Sequence, residues 1–394
     1  MWLGVALLLC LPQPCHAEGG EQSSSAFVGL AGNNSLVIRP PPDGQVLIDG
    51  ADFRMLVERV QGLEQVVQAQ AQQLATQAQL LAAKQCTTEV ADTTTITGLS
   101  GSAKWVGGVL GNGRIYGIPH NSASVLIIDP ATNTADTTTI TGLSKDSGKW
   151  NDGVLAGNGK IYGIPANSDS VLIIDPAANT ADTTSITGLN GGAKWFGGVL
   201  AGNGNVYGIP VNSASVLIID PATNTTDTTT ITGLGGSNKW YGGVLAGNGK
   251  IYGIPSNAAS VLIIDPATNT ADTTTITGLG GICCKWNSGV LAGNGKIYGI
   301  PIASASLLVL DPTANTANTI TDLGASAKWD GGVLAGNGKI YGMPWNSASV
   351  LVIDPTTNTA DTSTITGLSG DGKWYGGVLA DNGKIYGIPH NSAS

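Results

Sequence analysis

The chain has 394 residues, of which 42% are apolar and 11% charged, with a formal net charge of -9. That length and apolar content can supply a sizeable core. The acidic balance argues against nucleic acid or an anionic membrane as partner.

Residues 2 to 11, WLGVALLLCL, form a short apolar run, followed by Pro12, Pro14 and the small-residue pattern ending at Ala17. This predicts a signal peptide over residues 1–17 and a secreted, extracellular product. The run is too short to span a bilayer and no later stretch approaches the needed length, so no stable membrane insertion is expected. Residues 18–51 are rich in Gly, Ser and Pro, with QVLIDG towards their end, and read as a loosely ordered leader with one short strand. From Asp52, a candidate N-cap, a 3,4 spacing runs through Phe53, Leu56, Val60, Leu63, Val67, Leu74 and Leu81, with Gln70 and Gln77 completing the seam. Over residues 52–86 this predicts a helical coiled coil and a homo-oligomer assembled through it. A helix packed on the rest of the chain is the alternative. Cys86 lies just past that segment; with Cys283 and Cys284 it makes three cysteines after cleavage, which is no disulfide framework. Asn33 and Asn224 stand in glycosylation sequons.

Residues 91–394 are repetitive. Trp105, Trp150, Trp195, Trp240, Trp286, Trp329 and Trp374 recur at intervals of 45, 45, 45, 46, 43 and 45 residues. In the unit of Trp240 the runs are WYGGVLA, KIYGIP, VLIID and DTTTITGL. Asn-Gly between the first two signals a two-residue hairpin turn with both φ positive. DPATNT after the third is a turn in which Asp265 caps and Asn269 goes left-handed. The Thr-rich fourth run reads as the outermost strand. Four strands per unit, seven times, predict an all-β, seven-bladed β-propeller with four-stranded blades. The Gly pair, such as Gly242-Gly243, is expected on the innermost strand. A β-helix is the other architecture weighed.

The run NGKIYGIPxNSxSVLIIDPxTNT resembles kelch-type propeller repeats, which carry a Tyr-containing strand, a strand ending in Asp-Pro and a Thr-Asn turn. The likeness covers residues 91 to 394. It departs from kelch in placing the Gly pair before the Val-Leu strand and the Trp before the inner strand. Propellers serve as enzymes, lectins, adhesins and scaffolds, so the resemblance leaves function open. The VLIIDP run occurs only six times, so the last blade is expected to lack its third strand, as in a truncated chain. Leu36 to Pro40 (LVIRP) is the other segment that could fill it. An open gap invites pairing with another chain.

One face should carry function. It bears the dipeptides Lys104-Trp105, Lys149-Trp150, Lys194-Trp195, Lys239-Trp240, Lys285-Trp286, Lys328-Trp329 and Lys373-Trp374, read as a basic rim with stacking platforms for anions or glycans. Burial of each Trp between blades is the structural alternative. The same face holds the positions that vary among copies. After the second-strand Pro these are His120, Ala166, Val211, Ser256, Ile302, Trp345 and His390; after the Trp they are Val106, Asn151, Phe196, Tyr241, Asn287, Asp330 and Tyr375. If the ring closes, Trp345, His390 and His120 come side by side, with Asp330 and Tyr375 nearby.

No GxSxG elbow or phosphate-cradling loop appears, and two His alone do not make a metal site, so no catalytic residue, metal or cofactor is assigned. The expectation is a non-enzymatic, multivalent binding module for an extracellular glycan or protein. A structural coat or matrix protein is the alternative, and a propeller hydrolase or lyase a remoter one.

Overall fold

The computed structural model describes residues 27–30, 36–39, 47–48, 51–52, 67, 70, 89–280, 283–320, 323–324 and 328–394. The chain divides into two compact units, Met1–Leu81 and Ala82–Ser394. In the first, Phe27–Leu30 pairs antiparallel with Leu36–Arg39, and Leu47–Ile48 with Ala51–Asp52. Asp52 is therefore a strand residue paired with Leu47, and not a helix N-cap. Asp-Gly between Ile48 and Ala51 is a strong hairpin dipeptide, which accounts for the pairing of Asp52. The α-helical segment expected over 52–86 is corrected to this extent: no helical element stands among the described residues. Of residues 53–86 only Val67 and Gln70 are described, and the signal peptide and Cys86 lie outside the described residues.

The second unit is an all-β propeller. Six four-stranded antiparallel sheets follow one another, each in simple meander order. In the first, Trp105–Gly111 is the inner strand, followed outward by Arg114–Pro119, Leu126–Asp129 and Thr134–Asp136. The seventh repeat forms only a two-stranded sheet, Trp374–Leu379 with Ile385–Pro389. The expected seven four-stranded blades are thus corrected to six, because the apolar third run is present six times.

The second strands show why blades stack. Ile161–Pro165 is buried at every residue, as are its equivalents in the other five sheets, because both faces of a blade meet neighbours. The core lies between successive sheets: Tyr116, Ile118, Val125 and Ile127 from one pack on Trp150, Ile161, Leu172 and Ile174 from the next. Polar groups tie the same seam. Tyr162 Oη donates to Asn224 Oδ1 of the following blade at 2.9 Å, and Asn158 Nδ2 donates to Pro221 O at 2.9 Å.

Two local readings are corrected. Only the first hairpin has a two-residue Asn-Gly turn, with Asn112 at φ 49° and Gly113 at φ 73°. The others have one more residue, as in AGNGK, so only the last Gly is left-handed (Gly159, φ 79°) and the Asn side chain is freed for the inter-blade bond. The DTTTI run is mostly not strand. The outer strand ends at Asp136, whose carboxylate accepts from Thr138 N, Thr138 Oγ1 and Thr139 N and also binds Thr139 Oγ1. Those Thr residues serve by their hydroxyls, in an Asp-centred turn. The fifth blade has Asn318 in place of that Asp, and there the strand runs on from Thr316 to Ile320. The DPATNT reading holds: Asp265 Oδ1 accepts from Ala267 N at 3.0 Å and Asn269 has φ 52°.

Each inner strand carries a register shift after its Trp, as between Trp195 and Gly198. Gly197, inside it, has φ 74°, and a Cβ there would lie 2.8 Å from Gly242 Cα of the next blade. Such a bulge re-aims a side chain. It aims the residue after the Trp at the ring axis.

Candidate functional site at the channel mouth

Inner strands from all seven repeats line one cavity of about 270 Å³ on the ring axis. Its walls are the paired glycines, and its chemistry comes from the few positions that differ: Asn151, Asp152, Phe196, Tyr241, Asn287, Ser288, Asp330 and Tyr375. Burial dominates the two carboxyls. It pushes Asp330 up to about 7, against a hydrogen bond from Asn287 Nδ2 to Asp330 Oδ2 at 3.1 Å, and the charge of Asp152 adds to the rise. It pushes Asp152 up to about 6, while Gly153 N–H opposes. Burial, then the Asp330 charge, holds the Tyr375 phenol well above its ordinary range. The channel is therefore weakly acidic and rich in hydrogen-bonding groups.

Tyr375 links this channel to an aromatic cluster. Its ring stands edge-on to Trp345 at 5.5 Å between centroids and 6.0 Å from His390. His390 lies 4.7 Å from Trp345 and 6.2 Å from His120. Closure of the ring thus brings Trp345, His390, His120 and Tyr375 together, as the variable positions predicted. All four are half-buried. Burial, with His120 and Lys104 adding, takes His390 down to about 4. Burial also lowers His120, outweighing its bond to Trp150 O, and Lys149 lowers it further. Both rings are neutral at pH 7. His120 Nδ1 lies 3.2 Å from the Trp150 carbonyl, so it carries the proton and leaves Nε2 as an acceptor. At the equivalent positions Ala166, Val211 and Ser256 are buried and Ile302 is half-buried, so this surface is concentrated on one sector.

The Lys-Trp rim is built differently from the expectation. Lys104, Lys149, Lys194, Lys239, Lys285, Lys328 and Lys373 are all buried, and so are Trp105, Trp150, Trp195, Trp240, Trp286 and Trp329; Trp374 is half-buried. No solvent-facing basic ring forms at these residues. Each ammonium turns inward onto backbone carbonyls. Lys194 Nζ donates to Ala166 O and Ser168 O of the preceding blade, each at 2.8 Å, and to Gly191 O at 2.9 Å. Lys104 does the same to His390 O and Ser392 O, so one Lys closes the ring. The Lys ammoniums lie 5.2 to 5.9 Å from the ring centres of their neighbouring Trp residues, within cation–π range. The strand rule that adjacent residues face apart fails at this point, because the Lys precedes the strand. Each Trp Nε1 in turn donates to a carbonyl two strands outward, as Trp195 does to Ser215 O at 2.7 Å.

Sequence reasoning missed the inward carboxylate of Asp152 and the channel role of Asn151 and Asn287. The signal was there for Asp152: it replaces the first Gly of the WxGG pattern and keeps that glycine's backbone, at φ 69°. Cys283 and Cys284 are exposed free thiols. No group of three or more His, Cys, Asp or Glu able to hold a metal occurs among the described residues. Nor is any helix among them long and apolar enough to cross a membrane.

No protein family matches the chain and no curated protein matches its sequence, so the kelch-type resemblance stays a likeness of repeat pattern. Solved structures do match in fold. Virginiamycin B lyase from Staphylococcus aureus aligns with a TM-score of 0.61 at 10% identity, over 75% of this chain and 95% of that one. A hydrazine synthase structure from Kuenenia stuttgartiensis gives 0.56 at 13%, over 77% and 97%. The extracellular domain of a putative one-component system from B. thetaiotaomicron gives 0.54 at 9%, over 73% and 40%. At these identities the likeness is one of fold, and it places the chain among β-propellers.

Proposed function

We propose that this protein is a secreted, non-enzymatic binding module that takes the end of a glycan at the channel mouth, one ligand per propeller. The observation that carries this reading is the gathering of Trp345, Tyr375, His390 and His120 on one sector of the ring, with Tyr375 also lining the polar channel. An indole and a phenol offer faces and edges for sugar C–H groups. Neutral imidazoles, amides and a carboxyl that titrates near neutrality offer both donors and acceptors for hydroxyls. The cavity volume of about 270 Å³ suits a small group, since ligand pockets usually start near 300 Å³. The buried Lys-Trp pairs give no support to seven equivalent sites, so any multivalency comes from association of chains.

The test is a broad glycan array with the full-length secreted protein, followed by the Trp345→Ala variant on the best-binding oligosaccharide. The proposal expects saturable binding that falls at least tenfold in the variant, with unchanged thermal stability. Absence of binding across the array, or binding that Trp345→Ala leaves intact, would sink it.

A further inference from the structure

Eight Asn-Gly pairs occur in the sequence, at Asn112, Asn158, Asn190, Asn203, Asn248, Asn294, Asn337 and Asn382. In such a pair the asparagine side chain is open to attack by the backbone nitrogen that follows it, because glycine has no Cβ to shield that nitrogen. The attack needs two freedoms. The carboxamide must be able to swing onto the nitrogen, and the nitrogen must be able to give up its proton. The hydrogen bonds of the propeller sort the eight pairs by both.

Six pairs, in the first hairpins of the second to seventh repeats, have neither freedom. Asn158 Oδ1 accepts from Lys160 N at 3.1 Å, while its Nδ2 donates to Tyr162 Oη and to Pro221 O, each at 2.9 Å. Gly159 N donates to Ala156 O at 3.0 Å. The carboxamides of Asn203, Asn248, Asn294, Asn337 and Asn382 are likewise held at both ends, Oδ1 by the backbone N–H two residues on and Nδ2 by the next Tyr hydroxyl. The N–H of each following glycine is bonded to the Ala carbonyl three residues back.

The other two pairs differ. The first hairpin is one residue shorter, with Gly111 paired to Arg114 across it. Asn112 there is exposed, and among the described residues neither its carboxamide nor the Gly113 N–H has a hydrogen-bond partner. Asn190 is exposed in the loop before Trp195. Its carboxamide has one long bond, from Nδ2 to Gly188 O at 3.5 Å, and the Gly191 N–H has no partner among the described residues.

We infer that Asn112 and Asn190 are sites of spontaneous deamidation through a succinimide, and that the inter-blade and turn hydrogen bonds protect the other six. The Gly113 nitrogen bonds to Asn112 Cγ, the Cγ–Nδ2 bond breaks, and Nδ2 leaves as ammonia with the proton of the Gly113 amide. Water then opens the ring. Addition at Cγ gives aspartate, and addition at the backbone carbonyl carbon gives isoaspartate. Gly191 and Asn190 react in the same way. Isoaspartate at 112 routes the main chain through Cβ and Cγ, adding one carbon to a turn whose two residues both need positive φ. It also sets a new carboxylate two residues before Arg114, which pairs with Asp129 at 3.6 Å. Neither asparagine lines the channel, so this inference is independent of the glycan reading.

The experiment is peptide mapping of the full chain, aged in a warm, mildly alkaline buffer, by mass spectrometry with electron-transfer fragmentation, which separates aspartate from isoaspartate. A parallel sample ages in denaturant. In the folded chain Asn112 and Asn190 are expected to convert at least tenfold faster than any of the other six. In denaturant that gap is expected to close, since all eight are followed by glycine. Conversion of the six at the rate of these two would overturn the inference, as would survival of both over an incubation that converts the denatured chain. A tenfold gap that persists in denaturant would also overturn it, by placing the selectivity in local sequence and not in the fold.

Discussion

Single residues in this ring act mainly through hydrogen bonds that pull backbones of neighbouring blades together. Lys194 shows the pattern, with three protons on three carbonyls. Lys194→Met keeps the stem but strands buried acceptors, so unfolding by denaturant should show a loss of about 1–3 kcal/mol. Arg, with its planar fork, should not restore it. Hydrogen bonds, led by the following Thr or Ser hydroxyl, hold the turn aspartates Asp136, Asp182, Asp227 and Asp272 down to about 2. A depressed carboxyl stabilises the fold above its unfolded value of about 3.9. That support should fade as pH falls from about 4 towards 2, visible as a steeper acid limb that Asp→Asn substitutions at these turns flatten. Asp330 has the opposite sign. Its folded value, raised to about 7, means that stability is lost as pH rises through that value. Asp330→Asn should raise the melting temperature at pH 8 and leave it nearly unchanged at pH 3. Little of this was legible in the sequence. A Thr run suits both a strand and an Asp-centred turn, and only the contrast with Asn318 separates the two. A repeated Lys-Trp looks like a surface motif until the carbonyls that receive the ammonium are in place.

At the scale of the element, the pattern was far more legible, because period and turn chemistry are local properties. IYGIP, or its variants VYGIP and IYGMP, between an Asn-Gly turn and a loop is a buried second strand in all six complete blades. The inner-strand glycines were legible as packing positions, and their limit is now quantitative. A Cβ on Gly198 would stand 2.7 Å from both Ile164 Cδ1 and Val154 Cγ2 of the neighbouring blade. Gly198→Ala should therefore destabilise by about 1–3 kcal/mol through overpacking, measured by chemical denaturation. Gly202→Ala, where nothing lies within 4 Å, is the matched control and should change stability little. The bulge after each Trp was not legible, since it depends on how closely seven inner strands crowd the axis. Without it, the residue after the Trp reads as a loop position and not as channel wall.

At the scale of the whole molecule, near-identical units build a ring whose asymmetry comes from two sources. One is the handful of substitutions at three positions per repeat, which place Trp345, Tyr375, His390 and His120 on one sector and Phe196 edge-on to Tyr241 on another. The other is the seventh repeat, of which the described inner strands form a two-stranded sheet. Repetition in the sequence announced a propeller, and it also obscured function, because the conspicuous repeated residues hold the fold while the rare departures shape the cavity. On the function proposed above, this asymmetry makes one binding site per chain. The direct measurement is the stoichiometry of the best-binding oligosaccharide by isothermal titration of the full-length protein. One ligand per chain, lost together in Trp345→Ala and Tyr375→Ala variants that melt normally, is the predicted result. Six or seven ligands per chain, or one ligand indifferent to both substitutions, would contradict it.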